Sequence, residues 1–209
     1  MRLTSDSFEN RQRLPEAFAA GVRTAEGVGF GANRNPHLRW DDVPAGTKSF
    51  ALLVLDPDVP TVAEMVGKPG VEIPVDQPRC EFVHWIVADI PADVREIAEG
   101  TCSDGVVPHG KAEPAGPAGS RQGLNDYTGW FAGDAAMAGR YFGYDGPFPP
   151  FNDARVHRYL FMLYALDIDR CPVQGDFTGP QVLEAIRGHV LAQACYSGRY
   201  TLNPRLMEG

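Results

Sequence analysis

Lysine is nearly missing from this chain. Of 19 basic residues only Lys48, Lys68 and Lys111 are lysines, and they face 27 acidic ones. The net charge of −8 excludes a general affinity for nucleic acid or an anionic membrane surface, since both need clustered cations. It leaves room for a small cationic pocket on an acidic body. Long apolar runs are absent as well. No window approaches the roughly 18 apolar residues of a membrane-spanning helix, and Met1 to Asn10 lack the apolar stretch of a secretory leader. The four cysteines (Cys80, Cys102, Cys171 and Cys195) form no C-x-x-C pair, which removes a zinc ribbon or redox motif and predicts reduced thiols in a cytoplasmic protein. Neither G-x-S-x-G, a P-loop, G-x-G-x-x-G nor H-E-x-x-H occurs, so no cofactor and no metal are expected from motifs.

Glycine (23) and proline (18), by contrast, are abundant and make up about a fifth of the chain, against an ordinary share of roughly 12%. A bundle of long helices cannot host that many breakers. Three apolar runs read instead as interior strands of an antiparallel sheet system. Ser49–Leu55 is expected to stop at Pro57, Glu81–Ile90 to be halted by Pro91, and His157–Leu166 is rich in aromatics. One helix stands out. Thr178 can cap it, Pro180 suits its first turn, and Val182, Leu183, Ile186, Val190, Leu191 and Ala194 recur at 3.6-residue spacing up to Gly198. A last short strand follows over Arg199–Leu202, and a short helix is expected at Ala92–Ile97. The Gly/Pro-rich stretch from Thr101 to Val156 carries enough aromatics to pack. With no repeat and no linker visible, residues 1–209 read as a single domain.

Three places put polar groups beside apolar strands. Asp56 ends the 49–55 run, where an aspartate also commonly turns the backbone by bonding a nearby N–H. His84 lies inside a strand, and alternation sets it with Ile86 and Ala88, opposite Trp85 and Val87. His157 and Tyr159 share one strand face, leaving Arg158 on the other in need of a carboxylate. His37, His109 and His189 lack partners at useful spacing and read as structural or surface residues. Asp56, His84 and His157 permit a 2-His-1-carboxylate iron site, an acid–base set for hydrolysis or isomerisation, or a site that captures an anion. Residue types alone leave these three open.

Taken as a set, the motifs resemble the phosphatidylethanolamine-binding protein family in its bacterial, Raf-kinase-inhibitor-like branch. Asp56-Pro57-Asp58-Val59-Pro60 is similar to the family's D-P-D-A-P element, and His84-Trp85-Ile86-Val87-Ala88-Asp89-Ile90-Pro91 to its H-W-x-V-x-N-I-P strand. Gly146 to Pro150, His157-Arg158-Tyr159 and Tyr164-Ala165-Leu166-Asp167 resemble its G-P-x-P-P, H-R-Y and Y-A-L-D elements. Asn35 to Trp40 and Val43 to Ser49 match upstream. The resemblance implies a mostly β fold, an antiparallel two-sheet β-sandwich with a C-terminal helix beside a small pocket. It implies that the pocket binds small anions, phosphate or a phospholipid headgroup, with Asp56, His84 and His157 as polar core and Tyr159, Pro150 and Gly146 as wall. Asp58 and Arg158 would form a structural ion pair beside it. No nucleophile belongs to this set, which favours binding over catalysis; the alternatives are a small-molecule hydrolase or isomerase, or a module regulating a kinase or protease. Three departures mark this chain: Phe148, the stretch Phe151–Val156 before His157, and insertions at about 61–79 and 101–140. Within the longer insertion, Asn125–Trp130 is the candidate for a pocket-lining or dimer-forming segment.

Overall fold

The computed structural model describes residues 1–207. Twelve strands form among them: β1 (Arg2–Thr4), β2 (Gly21–Thr24), β3 (Gly27–Phe30), β4 (Leu38–Asp41), β5 (Ser49–Pro60), β6 (Arg79–Pro91), β7 (Glu96–Ile97), β8 (Gly110–Lys111), β9 (Arg121–Gln122), β10 (Arg140–Tyr141), β11 (His157–Leu166) and β12 (Val190–Tyr200). Two short α-helices join them, α1 (Tyr127–Trp130) and α2 (Gly179–Ala185). The three apolar runs are the inner strands of a five-stranded antiparallel sheet ordered β12-β11-β5-β6-β9. The expectation of a mostly β, antiparallel architecture with few helices holds.

Period-two alternation assigns the inner strands to two cores. Phe50, Leu52, Val54, Trp85, Val87, Phe161 and Leu163 meet Leu3, Leu38, Trp40 and Ile97 from the three-stranded sheet β1-β4-β7. Ala51, Leu53, Leu55, Val83, Ile86, Ala88 and Leu166 pack on the other side against Phe177, Val182 and Ile186 at α2. Each large apolar side chain buried in this way stabilises the fold by about 1.5–3 kcal/mol relative to exposure. A third, smaller cluster of Ala20, Tyr127, Met137 and Tyr141 anchors the 101–140 segment against Phe82 and Phe148.

Three expectations are corrected. The long C-terminal helix is only α2; its capping survives, with the Gln181 side chain accepting the Thr178 N–H at 2.9 Å. Gly188 turns the chain at φ +83°, and Val190–Tyr200 becomes a full strand paired with β11. Val190, Leu191 and Ala194 fit a helical stripe, but Ala194, Tyr196, Gly198 and Tyr200 also alternate inward, and a ladder with an already buried neighbour decides between the two. Secondly, Ala92–Ile97 forms no helix, because Glu96 and Ile97 pair with Arg39 and Leu38. Thirdly, β5 does not stop at Pro57. Pairing with β6 skips Pro57 and Asp58 and resumes at Val59 opposite Cys80, the bulge absorbing the missing proline N–H.

Gly146 is held by its surroundings. Its N–H donates to Asn33 Oδ1 at 2.8 Å, its carbonyl accepts the Tyr127 hydroxyl at 2.8 Å, and an added Cβ would lie 2.0 Å from the Phe18 carbonyl oxygen. Gly146→Ala is therefore expected to destabilise the protein by about 1–3 kcal/mol, since neither backbone can retreat. The measurement is the urea midpoint, and an unchanged midpoint would contradict the packing described.

Candidate functional site

Two irregularities of the β5–β6 pairing lie beside each other. Val54 pairs with Trp85 but Leu55 pairs with Val83, so His84 is the extra residue of a bulge. Bulges re-aim side chains, and this one breaks the expected alternation. The His84 ring packs 5.2 Å from Tyr159, which belongs to the cluster of Trp85 and Val87, whereas Ile86 and Ala88 lie in the other core. The next irregularity, after Asp56, lets its Oδ1 accept the Asp58 N–H at 2.8 Å while Oδ2 meets His157 Nδ1 at 2.7 Å. Asp56, His84, His157 and Tyr159 are all 2% exposed or less. The structure thus gathers the polar set named from the sequence.

His157 has a second carboxylate on its other nitrogen. Asp153 Oδ2 lies 3.0 Å from Nε2, and the same Asp153 carboxylate is gripped by both Arg79 Nη atoms (Nη2 to Oδ1 3.1 Å) and by the Arg155 N–H at 2.9 Å. Carboxylates on both sides require both ring nitrogens to donate. Burial alone would lower the imidazole, but the Asp56 charge and the Asp153 bond outweigh it and raise His157 to about 9. Burial would likewise raise Asp153, yet its bonds to His157 and Arg79 hold it below the usual carboxylate range. Such an imidazolium has no lone pair for a metal. The 2-His-1-carboxylate alternative fails on that geometry, and among the described residues no group of three or more His, Cys, Asp or Glu is gathered to hold a metal ion.

His84 is the opposite case. Nδ1 lies 2.7 Å from the Asp145 carbonyl, which can only accept, so Nδ1 carries the proton. Burial pulls its pKa below 6.5 despite the nearby Asp56, Asp126 and Asp145 carboxylates, leaving a neutral ring whose Nε2 lone pair has no partner among the described residues. Asp145 is itself fixed by Asn33 and Asn125, each at 2.8 Å, and Lys111 at 2.9 Å. The Tyr159 hydroxyl is a second buried group that makes no hydrogen bond of ordinary length and angle, although it lies close to the Asp56 carboxylate; burial, then the Asp56 charge, pushes its phenol far above the ordinary value.

Both unpartnered groups belong to residues that line a cavity of about 380 Å³. Asp56, His157, Pro149 and Pro150 line it too, and its remaining wall is strongly aromatic: Phe30, Phe82, Tyr127, Trp130, Phe131, Phe148 and Phe151. Gly146, expected in the wall, lies behind it. Of the candidate segment Asn125–Trp130, Tyr127 and Trp130 reach the cavity. The 61–79 segment contributes Val66 and Gly67, held by one side chain: Asn152 accepts the Gly67 N–H at 3.0 Å and donates to the Met65 and Val71 carbonyls, each at 2.8 Å. The Asp58–Arg158 pair forms as expected (Nε to Oδ2 2.8 Å), with Arg155 as an additional partner at 3.2 Å. Sequence reasoning missed Asp153 and Arg79. Asp153 stands four residues before His157, but only the turn that donates its N–H to the Pro150 carbonyl brings it back onto the ring.

A proton bound more tightly in the folded than in the unfolded chain stabilises the fold at low pH and is lost as pH rises. For His157 the contribution is complete below 6.5 and disappears as pH climbs through about 9. Thermal melts should show Tm falling across that window as the folding free energy drops by about 1.4 kcal/mol per pH unit, and Asp153→Asn should end the decline at lower pH. A flat Tm between pH 6.5 and 9 would refute the assignment of the imidazolium.

The sequence profile described as "Phosphatidylethanolamine-binding protein" matches residues 4–201. The UPF0098 protein YbhB of Escherichia coli K12 is 32% identical over 202 residues, which covers 96% of this chain and all of that protein. A UPF0098 protein of Aquifex aeolicus is 31% identical, over 96% of this chain and 88% of its own length. The crystal structure of E. coli YbcL, described as a new member of the mammalian PEBP family, superposes with a TM-score of 0.69 at 27% identity, covering 96% of this chain and 97% of that one. On the strength of these matches, the five-stranded sheet and its bulged Asp56 and His84 are features of a chain that belongs to the phosphatidylethanolamine-binding protein family, in its bacterial branch.

Proposed function

We propose that the protein reversibly binds a small amphipathic ligand with an acidic head, phosphate or a phospho-headgroup, in the cavity above His84. The observation that carries this reading is the pair of unpartnered buried polar atoms, His84 Nε2 and Tyr159 Oη, at the base of an aromatic cavity. Leaving such a group unsatisfied costs about 1–3 kcal/mol, a cost that a ligand able to donate to His84 and accept from Tyr159 removes. The aromatic walls take its apolar body. The cavity lining carries no serine, threonine, cysteine or lysine, which supports binding without covalent chemistry. Among the described residues no helix is long and apolar enough to cross a membrane.

Proton bookkeeping gives the pH dependence. In the free protein His84 is held neutral, so an anionic head needs one proton, either on the imidazole or on itself. Its affinity should rise as pH falls below 6.5. One observation also favours an acid–base reading: a free imidazole lone pair beside a phenol that keeps its proton is what an isomerase or hydrolase uses. His84→Ala would then abolish turnover, while binding would persist in Tyr159→Phe.

Calorimetric titration with phenyl phosphate at pH 5.5 and 7.5 tests the binding reading. Wild type should bind more tightly at pH 5.5, and His84→Ala and Tyr159→Phe should each weaken binding about five- to tenfold, the worth of roughly one hydrogen bond. Equal affinity in all three proteins would sink the proposal.

A further inference from the structure

We infer that Asp153 sets the charge class of the ligand: by occupying His157 Nε2 on one side and the Arg79 guanidinium on the other, it leaves the cavity no free cation, so the head that binds is one that keeps a proton. This rests on the reading of the cavity as a ligand site. A doubly ionised phosphate needs cations or several free N–H donors around it. The one cationic side chain in the lining is already used: His157 lies between Asp56 at 2.7 Å and Asp153 at 3.0 Å, and Arg79, outside the lining, closes on the same Asp153. Arg155 and Arg158 are spent on Asp58 at 3.2 and 2.8 Å.

The free groups have the opposite character. His84 offers a lone pair, and the groups around it are anionic, phenolic or apolar, none of them cationic: Asp56 on β5, Phe82 on β6, Asp126 and Tyr127 at α1, Asp145 on the following loop, and Tyr159 on β11. Lys111 is bound to Asp145. A dianion therefore meets one O–H donor and no uncommitted positive charge. A singly ionised head, with a P–O–H to give to His84 Nε2 and an oxygen to accept from Tyr159, satisfies both unpartnered atoms. Asp153 comes from the stretch Phe151–Val156, where the sequence departs from the pattern it otherwise resembles, and its position is fixed independently of any ligand by the Arg155 N–H at 2.9 Å and by Asn203, which donates to its carbonyl at 2.8 Å.

The experiment follows phenyl phosphate affinity from pH 5.5 to 8.5 in wild type and Asp153→Asn, a substitution that keeps the shape and removes the charge. In wild type the affinity should track the fraction of ligand that retains a proton. In Asp153→Asn the affinity at pH 8 should rise at least tenfold and the pH dependence should flatten. Unchanged affinity at pH 8 overturns the inference while leaving the ligand site intact, whereas failure of wild type to bind at any pH overturns the site itself. Should Asp153→Asn not fold, ¹⁵N-histidine spectra of wild type decide. Saturating phenyl phosphate should move the His84 ring resonances and leave those of His157 in place, and a comparable shift at His157 overturns the proposal.

Discussion

The buried imidazolium of His157, clamped between Asp56 and Asp153, is the interaction on which the rest of this end of the molecule depends. Its two bonds, 2.7 and 3.0 Å, connect the end of β5 to the start of β11 and to the turn that precedes it. Through Arg79, Asp153 extends the chain of charges to the start of β6, and through its neighbour Asn152 to the loop over residues 63–71. Buried charges are costly unless paired and hydrogen-bonded, and removing one partner of such a set costs more than the set is worth as a whole. Here the alternation of signs is complete: carboxylate, imidazolium, carboxylate, guanidinium. The cavity wall at Val66 and Gly67 is held in position by the Asn152 amide, and Phe151 packs against the core of the sheet.

The sheet supplies the second constraint. A regular ladder between β5 and β6 would put alternate side chains on opposite faces and would separate Asp56 from His84. Two pairing irregularities within three residues of β5 prevent this. One accommodates Pro57, which has no N–H to give; the other ejects His84 toward Tyr159. Both lie in the part of β5 that reaches the cavity, between β11 and β6. The aspartate reads as a turn former from sequence and is one: its Oδ1 holds the Asp58 N–H. The other oxygen is what makes it part of a site.

How legible this was in the sequence follows from the range of each interaction. The strands Ser49–Leu55, Glu81–Ile90 and His157–Leu166 were visible because apolar runs between prolines are local signals, and the resemblance of the motifs joined Asp56, His84, His157 and Tyr159. The C-terminal strand was misread because Val190, Leu191 and Ala194 satisfy a helical stripe as well as they satisfy a strand, and only the ladder with β11 breaks the tie. The bulge at His84 was invisible for a related reason, since register is a property of two strands. Asp153 could not be found at all: a lone aspartate in Asn152-Asp153-Ala154-Arg155 carries no mark of the turn that folds it onto a histidine.

What remains after these pairings is informative because so little is left over. Buried polar atoms in folded proteins are almost always satisfied, and this site satisfies Asp56, Asp58, Asp145, Asp153 and His157 with up to four partners each. His84 Nε2 and Tyr159 Oη are left without partners in the same cavity, under aromatic walls. Were the polar groups there only to hold the fold, filling that space with apolar side chains would serve as well or better. A fold that surrounds two unsatisfied groups with a network this complete retains them at a net cost in stability, and a ligand carrying one donor and one acceptor recovers it. On the proposed reading, the network fixes the geometry and pairs the charges, and selection falls to one lone pair and one hydroxyl.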